Sequence, residues 1–307
     1  MMTGKQNLVI AGSNKCGTTS VFRYLGAHPS VCLSRTKEAA FFYTNKGLET
    51  DELRRSYQEL FTAPDEQATL FVEATPTYLH GGIKVAEHIH RILPNASIMF
   101  LLREPADRLA SFYRSKFEKS DSALGQTDFR SFVSVALQAS DSGGARPGTR
   151  EGAFLQEFTM ARYADFLPDY LDVFGKDGVG VFFFEDMIAD PRKFMSAVCN
   201  FVDLSPDCYQ DFAFTVENKT RYHRSTKLRK LATIFNERFE ASLNRLPAAR
   251  KTMRQIYNLA NAKPSDTISL DSEAYEDVVV YYRDPNDQLR QLLLANYPDI
   301  ELPTWLS

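Results

Sequence analysis

The stretch Gly12-Ser13-Asn14-Lys15-Cys16-Gly17-Thr18-Thr19-Ser20 constrains this chain more than any other. It follows the apolar run Asn7–Ala11 and precedes the amphipathic run Val21–Ala27, an order that predicts strand, tight loop and helix. Glycine lets backbone approach a ligand where a Cβ would clash. The N–H groups of such a loop, with the positive end of a helix behind them, favour an anion. Thr18, Thr19 and Ser20 add hydroxyl donors in the first helical turn, and Lys15 adds a mobile positive charge.

Gly12 and Gly17 have the spacing of the nucleoside-triphosphate loop G-x-x-x-x-G-K-[ST], but Thr18 stands where its lysine belongs and Lys15 sits inside the loop. A triphosphate with magnesium needs that lysine at the β/γ-phosphates and a hydroxyl on the metal. A lysine inside the loop suits a shorter, metal-free, diphosphate-like group. Lys15-Cys16-Gly17-Thr18-Thr19-Ser20 resembles the 5′-phosphosulfate loop of sulfotransferases that use 3′-phosphoadenosine 5′-phosphosulfate (PAPS). The resemblance implies that these six residues bind the donor, that 3′-phosphoadenosine 5′-phosphate (PAP) is the product, and that no metal is required.

Arg103-Glu104-Pro105-Ala106-Asp107-Arg108 ends the apolar run Ser97–Leu102, and Ser111, eight residues after Arg103, lies in the helix expected over Leu109–Phe117. Arg103 and Ser111 can face one point and offer a forked cation and a hydroxyl to a phosphate. R-x-P-x-x-R-x-x-S-x-Y resembles the family's 3′-phosphate motif, which assigns that phosphate to Arg103 and Ser111 and leaves Arg108 structural. The looser match Lys219–Lys227, at the family's second cofactor loop, nominates Arg224 and Ser225, with Arg221 as runner-up.

Lys37-Glu38-Ala39-Ala40-Phe41-Phe42 resembles the K-E-x-x-F-F segment of heparan-type sulfotransferases. There the glutamate is the general base and the lysine lies near the phosphosulfate. Transfer to an alcohol needs its proton removed as attack proceeds, and cations to stabilise charge building on the leaving phosphate. The resemblance therefore makes Glu38 the base, with Lys15 and Lys37 as the stabilising cations; His80 is the alternative base and acceptor-side residue. Glu73-Ala74-Thr75-Pro76-Thr77-Tyr78 resembles the family's E-K-T-P-x-Y, with Ala74 in place of the lysine. Tyr78 lines the acceptor cleft or packs in the core; the residues leave both open.

The length of 307 residues allows one large α/β domain or two small ones, and 44% apolar and 12% aromatic residues supply a sizeable core. Strands at Asn7–Ala11, Val31–Ser34, Leu70–Glu73, Ser97–Leu102 and Val179–Phe184 alternate with helices, among them Met160–Phe174 closed by Gly175. That alternation predicts a mostly parallel central sheet flanked by helices, with ligands beyond the carboxyl ends of the strands. Together with the resemblance it implies one sulfotransferase domain over 1–307, of the P-loop NTPase-like sulfotransferase fold. Residues 120–152, rich in Gly, Ser, Asp and Arg around a helix-like run at Phe129–Leu137, are expected to form a mobile lid or acceptor loop.

A net charge of −3 gives no global basic field for nucleic acid. Cys16, Cys32, Cys199 and Cys208 form no C-x-x-C pair, which favours reduced thiols. Met1–Gln6 carries no apolar signal core, and no run reaches about 18 apolar residues, so a soluble cytoplasmic protein without a membrane segment is expected. The leading expectation is sulfuryl transfer from PAPS to a hydroxyl or amine of a carbohydrate or small-molecule acceptor. The competing functions are a P-loop kinase of a small metabolite, which lacks its lysine at Thr18, and a PAP-binding scaffold without a base.

Overall fold

Strand β1 (Gln6–Gly12) lies at the centre of the molecule because both its faces are apolar. Val9 and Ala11 enter one core, Leu8 and Ile10 the other, and all four are fully buried. The same two-sided burial marks β3 (Leu70–Ala74) and β4 (Ala96–Leu102), as expected for parallel strands covered on both faces. With β2 (Val31–Leu33) and β5 (Val179–Phe183) they form a five-stranded sheet, every pairing parallel, in the order β2-β3-β1-β4-β5. This is a computed structural model, and it describes residues 6–44, 50–61, 67–116, 127–215 and 270–307, which fall in one compact unit.

Helix α1 (Thr18–Leu25) packs on the face that holds Leu8 and Ile10. On the opposite face, α2 (Phe41–Thr44), α3 (Thr50–Gln58) and α4 (Gly82–Ile92) surround Val9, Phe71 and Phe100. Helix α5 (Pro105–Lys116) begins four residues before the expected Leu109. Proline is well suited to the first turn, where its missing N–H has no intrahelical partner to lose. The earlier start puts Arg103 two residues before the helix.

The run 129–178 differs from its expected form. Helix α6 (Phe129–Asp141) buries Phe129, Phe132, Val133 and Ala136, and α7 (Arg150–Thr159) buries Phe154 and Phe158. Within the described part of 120–152, low apolar content is thus confined to the turn 142–149. The single helix expected at Met160–Phe174 is instead the cap of α7 at Met160, a 3₁₀ turn at Tyr163–Asp165, and α8 (Leu167–Gly178). Pro168 explains the break: it starts a helix readily but removes a hydrogen bond inside one. Gly175, at φ 70° and ψ 166°, is non-helical and interrupts α8 where closure was expected.

Beyond β5 come α9 (Phe184–Ala189) and α10 (Pro191–Phe201), then α11 (Ser272–Tyr281) and α12 (Arg283–Asn296). Among the described residues no helix is long and apolar enough to cross a membrane.

Candidate active site

All five strands run the same way, so the loops after β1, β3, β4 and β5 leave from one edge of the sheet. Hydrogen bonds tie those loops together. Ser13 N donates to Leu101 O at 2.9 Å, joining the loop after β1 to the end of β4. Glu38 N donates to Ala74 O at 2.8 Å, joining the Lys37–Glu38 segment to the end of β3. Tyr163 Oη donates to Arg103 O at 3.0 Å and lies 3.7 Å from Cys16 Sγ.

The Gly12–Ser20 loop has the geometry of an anion cradle. Lys15 is left-handed at φ 67°, and Gly17, the residue before α1, at φ 92°. A Cβ on Gly17 would lie 2.6 Å from Met187 Cε and 3.0 Å from Phe184 Cδ2, so only glycine lets the loop pass α9 this closely. No side chain caps α1. The N–H groups of Thr18 and Thr19 therefore face outward from a helix end with no intrahelical acceptor, the arrangement that favours a phosphate or sulfate. Thr18 and Ser20 are buried, whereas Lys15, Gly17 and Thr19 are half-buried. Cys16 is fully buried, and burial raises its thiol pKa, so it packs as an inert thiol.

Arg103 is the forked cation at the end of β4. Its guanidinium carbon lies 4.5 Å above the Phe184 ring, and Nη2 pairs with Asp107 Oδ2 at 3.3 Å. Nε is buried and has no hydrogen-bond partner. A cation stacked on a ring with an orphaned buried donor fits an anionic ligand that completes it. Asp107 and Ser111 follow at helical spacing, so the half-buried Ser111 shares the Arg103–Asp107 side of α5. Tyr275 of α11 donates to Glu104 Oε2 at 3.2 Å or Asp107 Oδ1 at 3.1 Å, covering this corner. Arg224, Ser225 and Arg221 lie outside the described residues.

Lys37 and Glu38 form an ion pair at 2.7 Å, and the two differ in exposure. The Lys37 side chain is 18% exposed, while that of Glu38 is 62% exposed and can meet an incoming substrate. Two expected acceptor residues sit elsewhere. Tyr78 has no exposed surface, packs against Phe42 and Tyr43, and accepts from Phe42 N at 3.3 Å, so it is the core tyrosine of the two alternatives. His80 Nε2 donates to Met160 O at 2.9 Å, and its ring lies edge-on to Phe166. Burial lowers its pKa to about 4, and Nδ1, the atom left to take a proton, is buried without a partner. This corrects its assignment as an alternative base: Nδ1 faces packed protein.

Two residues gained no site role from the sequence. Arg108, fully buried, donates through Nη2 to Asn14 Oδ1 at 2.5 Å and to Glu157 Oε2 at 3.2 Å, and through Nη1 to Glu157 O at 3.1 Å. It fixes the anion loop to α7. Glu73 is fully buried on β3 and accepts from the Thr75 hydroxyl; burial first of all raises its pKa to about 8. A carboxylate inside the apolar run Leu70–Ala74 was the available signal for it.

Residues 5–242 match the family model described as "Sulfotransferase domain". The chain belongs to the sulfotransferase family. The class of this sulfotransferase domain is therefore a transferase that uses PAPS and releases PAP. Carbohydrate sulfotransferase 15 of Homo sapiens is 23% identical over 317 residues, covering 87% of this chain and 54% of the relative. Bifunctional heparan sulfate N-deacetylase/N-sulfotransferase 1 of Homo sapiens is 23% identical over 310 residues, covering 97% of this chain and 30% of the relative. The sulfotransferase thus spans about half or less of the length of these two curated relatives. A crystal structure of a sulfotransferase from Alicyclobacillus acidocaldarius superimposes with a TM-score of 0.51 at 25% identity, covering 80% of this chain and 95% of that one. The parallel sheet flanked by helices is thus the P-loop-like sulfotransferase fold.

Proposed function

We propose that this protein transfers a sulfuryl group from PAPS to a hydroxyl or amine of an acceptor, with Glu38 as the general base. The observation that carries the reading is the exposed Glu38 carboxylate, hydrogen-bonded through its own N–H to the end of β3, beside the strand that ends in the anion loop. Lys15, Cys16, Gly17, Thr18, Thr19 and Ser20 hold the 5′-phosphosulfate in this reading. Arg103 and Ser111 hold the 3′-phosphate, which takes over the donors Arg103 now shares with Asp107. Lys15 and Lys37 balance charge on the leaving phosphate. Arg224 and Ser225 are retained as further cofactor contacts on the sequence match alone.

For the acceptor we propose a carbohydrate. The support is the K-E-x-x-F-F segment together with relatives named for carbohydrate and heparan sulfate sulfation. The exposed turn 142–149 between α6 and α7 is the proposed acceptor rim; α7 reaches the anion loop through Glu157 and Arg108. For location we propose a reducing, cytoplasmic compartment, supported by four cysteines whose spacing forms no C-x-x-C pair. Transfer of radiolabelled sulfate from PAPS to a panel of glycans and small alcohols tests the reading. Labelled glycan is the expected product; label on small alcohols alone would refute the carbohydrate assignment, and no label on any acceptor the transfer itself.

A further inference from the structure

Glu38 and Ala40 both hold left-handed backbones, at φ 65° and 52°. Neither is glycine, and this conformation is unfavourable for a residue with a Cβ. A loop strained twice in three residues keeps one shape only where its surroundings over-determine it. The surroundings here are the exit of β3. Glu38 N donates to Ala74 O at 2.8 Å, Ala40 N to Thr75 Oγ1 at 3.2 Å, and the Tyr43 hydroxyl to Thr77 O.

Of these anchors, the bond from Ala40 depends on how one hydroxyl is turned. Thr75 is 2% exposed, so water does not orient it. Because its oxygen accepts from Ala40, its proton points away, and it goes to Glu73 Oε1. Glu73 is itself fully buried, and its Oε2 has no partner. An orphaned polar atom in a core is unfavourable. The carboxyl group at this position therefore serves something other than packing; it accepts from the Thr75 hydroxyl, and the Tyr78 hydroxyl lies beside it.

We propose that Glu73 and Thr75 are positioning residues: the relay Glu73–Thr75–Ala40 locks the Lys37–Ala40 loop and so aims Glu38 at the acceptor. The inference rests on Glu38 being the base. Lys37 and Glu38 from the loop, Tyr57 from α3, and Tyr78 and Thr75 beyond β3 are the polar groups that face Glu73. None of them bonds to Oε2.

The test compares Thr75→Val, which keeps shape without the hydroxyl, with Thr75→Ser, which restores it. Each is made in wild-type and Glu38→Gln backgrounds, with kcat, KM for PAPS and PAP affinity measured. Thr75→Val is expected to lower kcat by about 10- to 100-fold, the effect of a sub-ångström to ångström misplacement, with PAP affinity unchanged. Thr75→Ser restores kcat. Thr75→Val adds no further loss once Glu38 is glutamine, because the group it positions is gone. Glu73→Leu behaves like Thr75→Val, while Glu73→Gln, which keeps the accepting oxygen, does not. Equal kcat for the valine and serine variants overturns the relay while leaving Glu38 as base untouched. A valine loss undiminished in the Glu38→Gln background overturns it as well. Near-normal turnover of Glu38→Gln alone refutes the base and the relay with it.

Discussion

Arg108, which has no exposed surface, donates to Asn14 Oδ1 at 2.5 Å within the anion loop, and its other bonds go to Glu157 on α7. One buried charge thus joins the donor loop to the element beside the proposed acceptor rim. Removing one partner of a buried ion pair leaves the other uncompensated, typically at a loss of about 3–5 kcal/mol. Arg108→Met is expected to lose stability on that scale and to weaken PAP binding. Glu157→Gln keeps neutral acceptors but leaves the fully buried guanidinium without its counter-charge, and it is expected to lose stability on the same scale. Urea unfolding and PAP titration of both variants check this; near-wild-type stability of either variant would contradict it.

The buried Glu73 makes stability depend on pH. Its folded pKa of about 8 lies above the ordinary glutamate value, with burial as the largest cause, opposed by the Thr75 bond and the Lys37 charge. The folded state therefore keeps a proton that the unfolded chain releases. This group's contribution is fully present below about pH 4.5 and is lost as pH rises to about 8. Glu73→Gln removes that dependence. It should gain stability on the order of a few kcal/mol at pH 8 and almost none at pH 4. Denaturant midpoints at both pH values read the difference directly, and a gain independent of pH would contradict it.

Cofactor selectivity should follow Arg103 and Ser111, the residues proposed to hold a 3′-phosphate that ATP lacks. PAP at about a hundred times its dissociation constant should add roughly 2.7 kcal/mol of stability. ATP with magnesium should add much less. Arg103→Ala should weaken PAP far more than adenosine 5′-phosphosulfate. Matching thermal shifts for PAP and ATP, or a shift that needs magnesium, would overturn the assignment.

The five strands were legible because each is an apolar run bounded by turn residues, and Ser97–Leu102 is apolar almost throughout. The strand–loop–helix turn at Gly12–Ser20 was legible because glycine, lysine and hydroxyl residues sit at fixed offsets between an apolar run and an amphipathic one. Pro168 was overlooked as a helix start, so a 3₁₀ turn and α8 were read as one helix. Tyr78 and His80 could not be placed because a motif gives order along the chain, not which side of a short 3₁₀ turn meets the core. Arg108 and Glu73 were underread for a related reason. Their partners lie at Asn14 and Glu157 for the arginine, and at Thr75 and then Ala40 for the glutamate, and only the folded sheet edge brings these together.

The exposed turn 142–149 should exchange its amide hydrogens quickly and slow when donor and acceptor are both bound, whereas α6 and α7 on either side should already be protected by Phe132, Phe154 and Phe158. Hydrogen exchange of the free protein and of the complex checks this. Uniform protection from Phe129 to Thr159 without ligand would argue against an opening rim.

The central claim is that Glu38 takes the acceptor proton as the sulfuryl group moves. Glu38→Gln preserves shape and removes the base. The decisive measurement is turnover of this variant with PAPS and a responsive acceptor, alongside its affinity for PAP. The account predicts a fall in kcat of about 10²–10⁴-fold with PAP affinity unchanged. Near-normal turnover, or a loss explained wholly by weaker PAP binding, would contradict it.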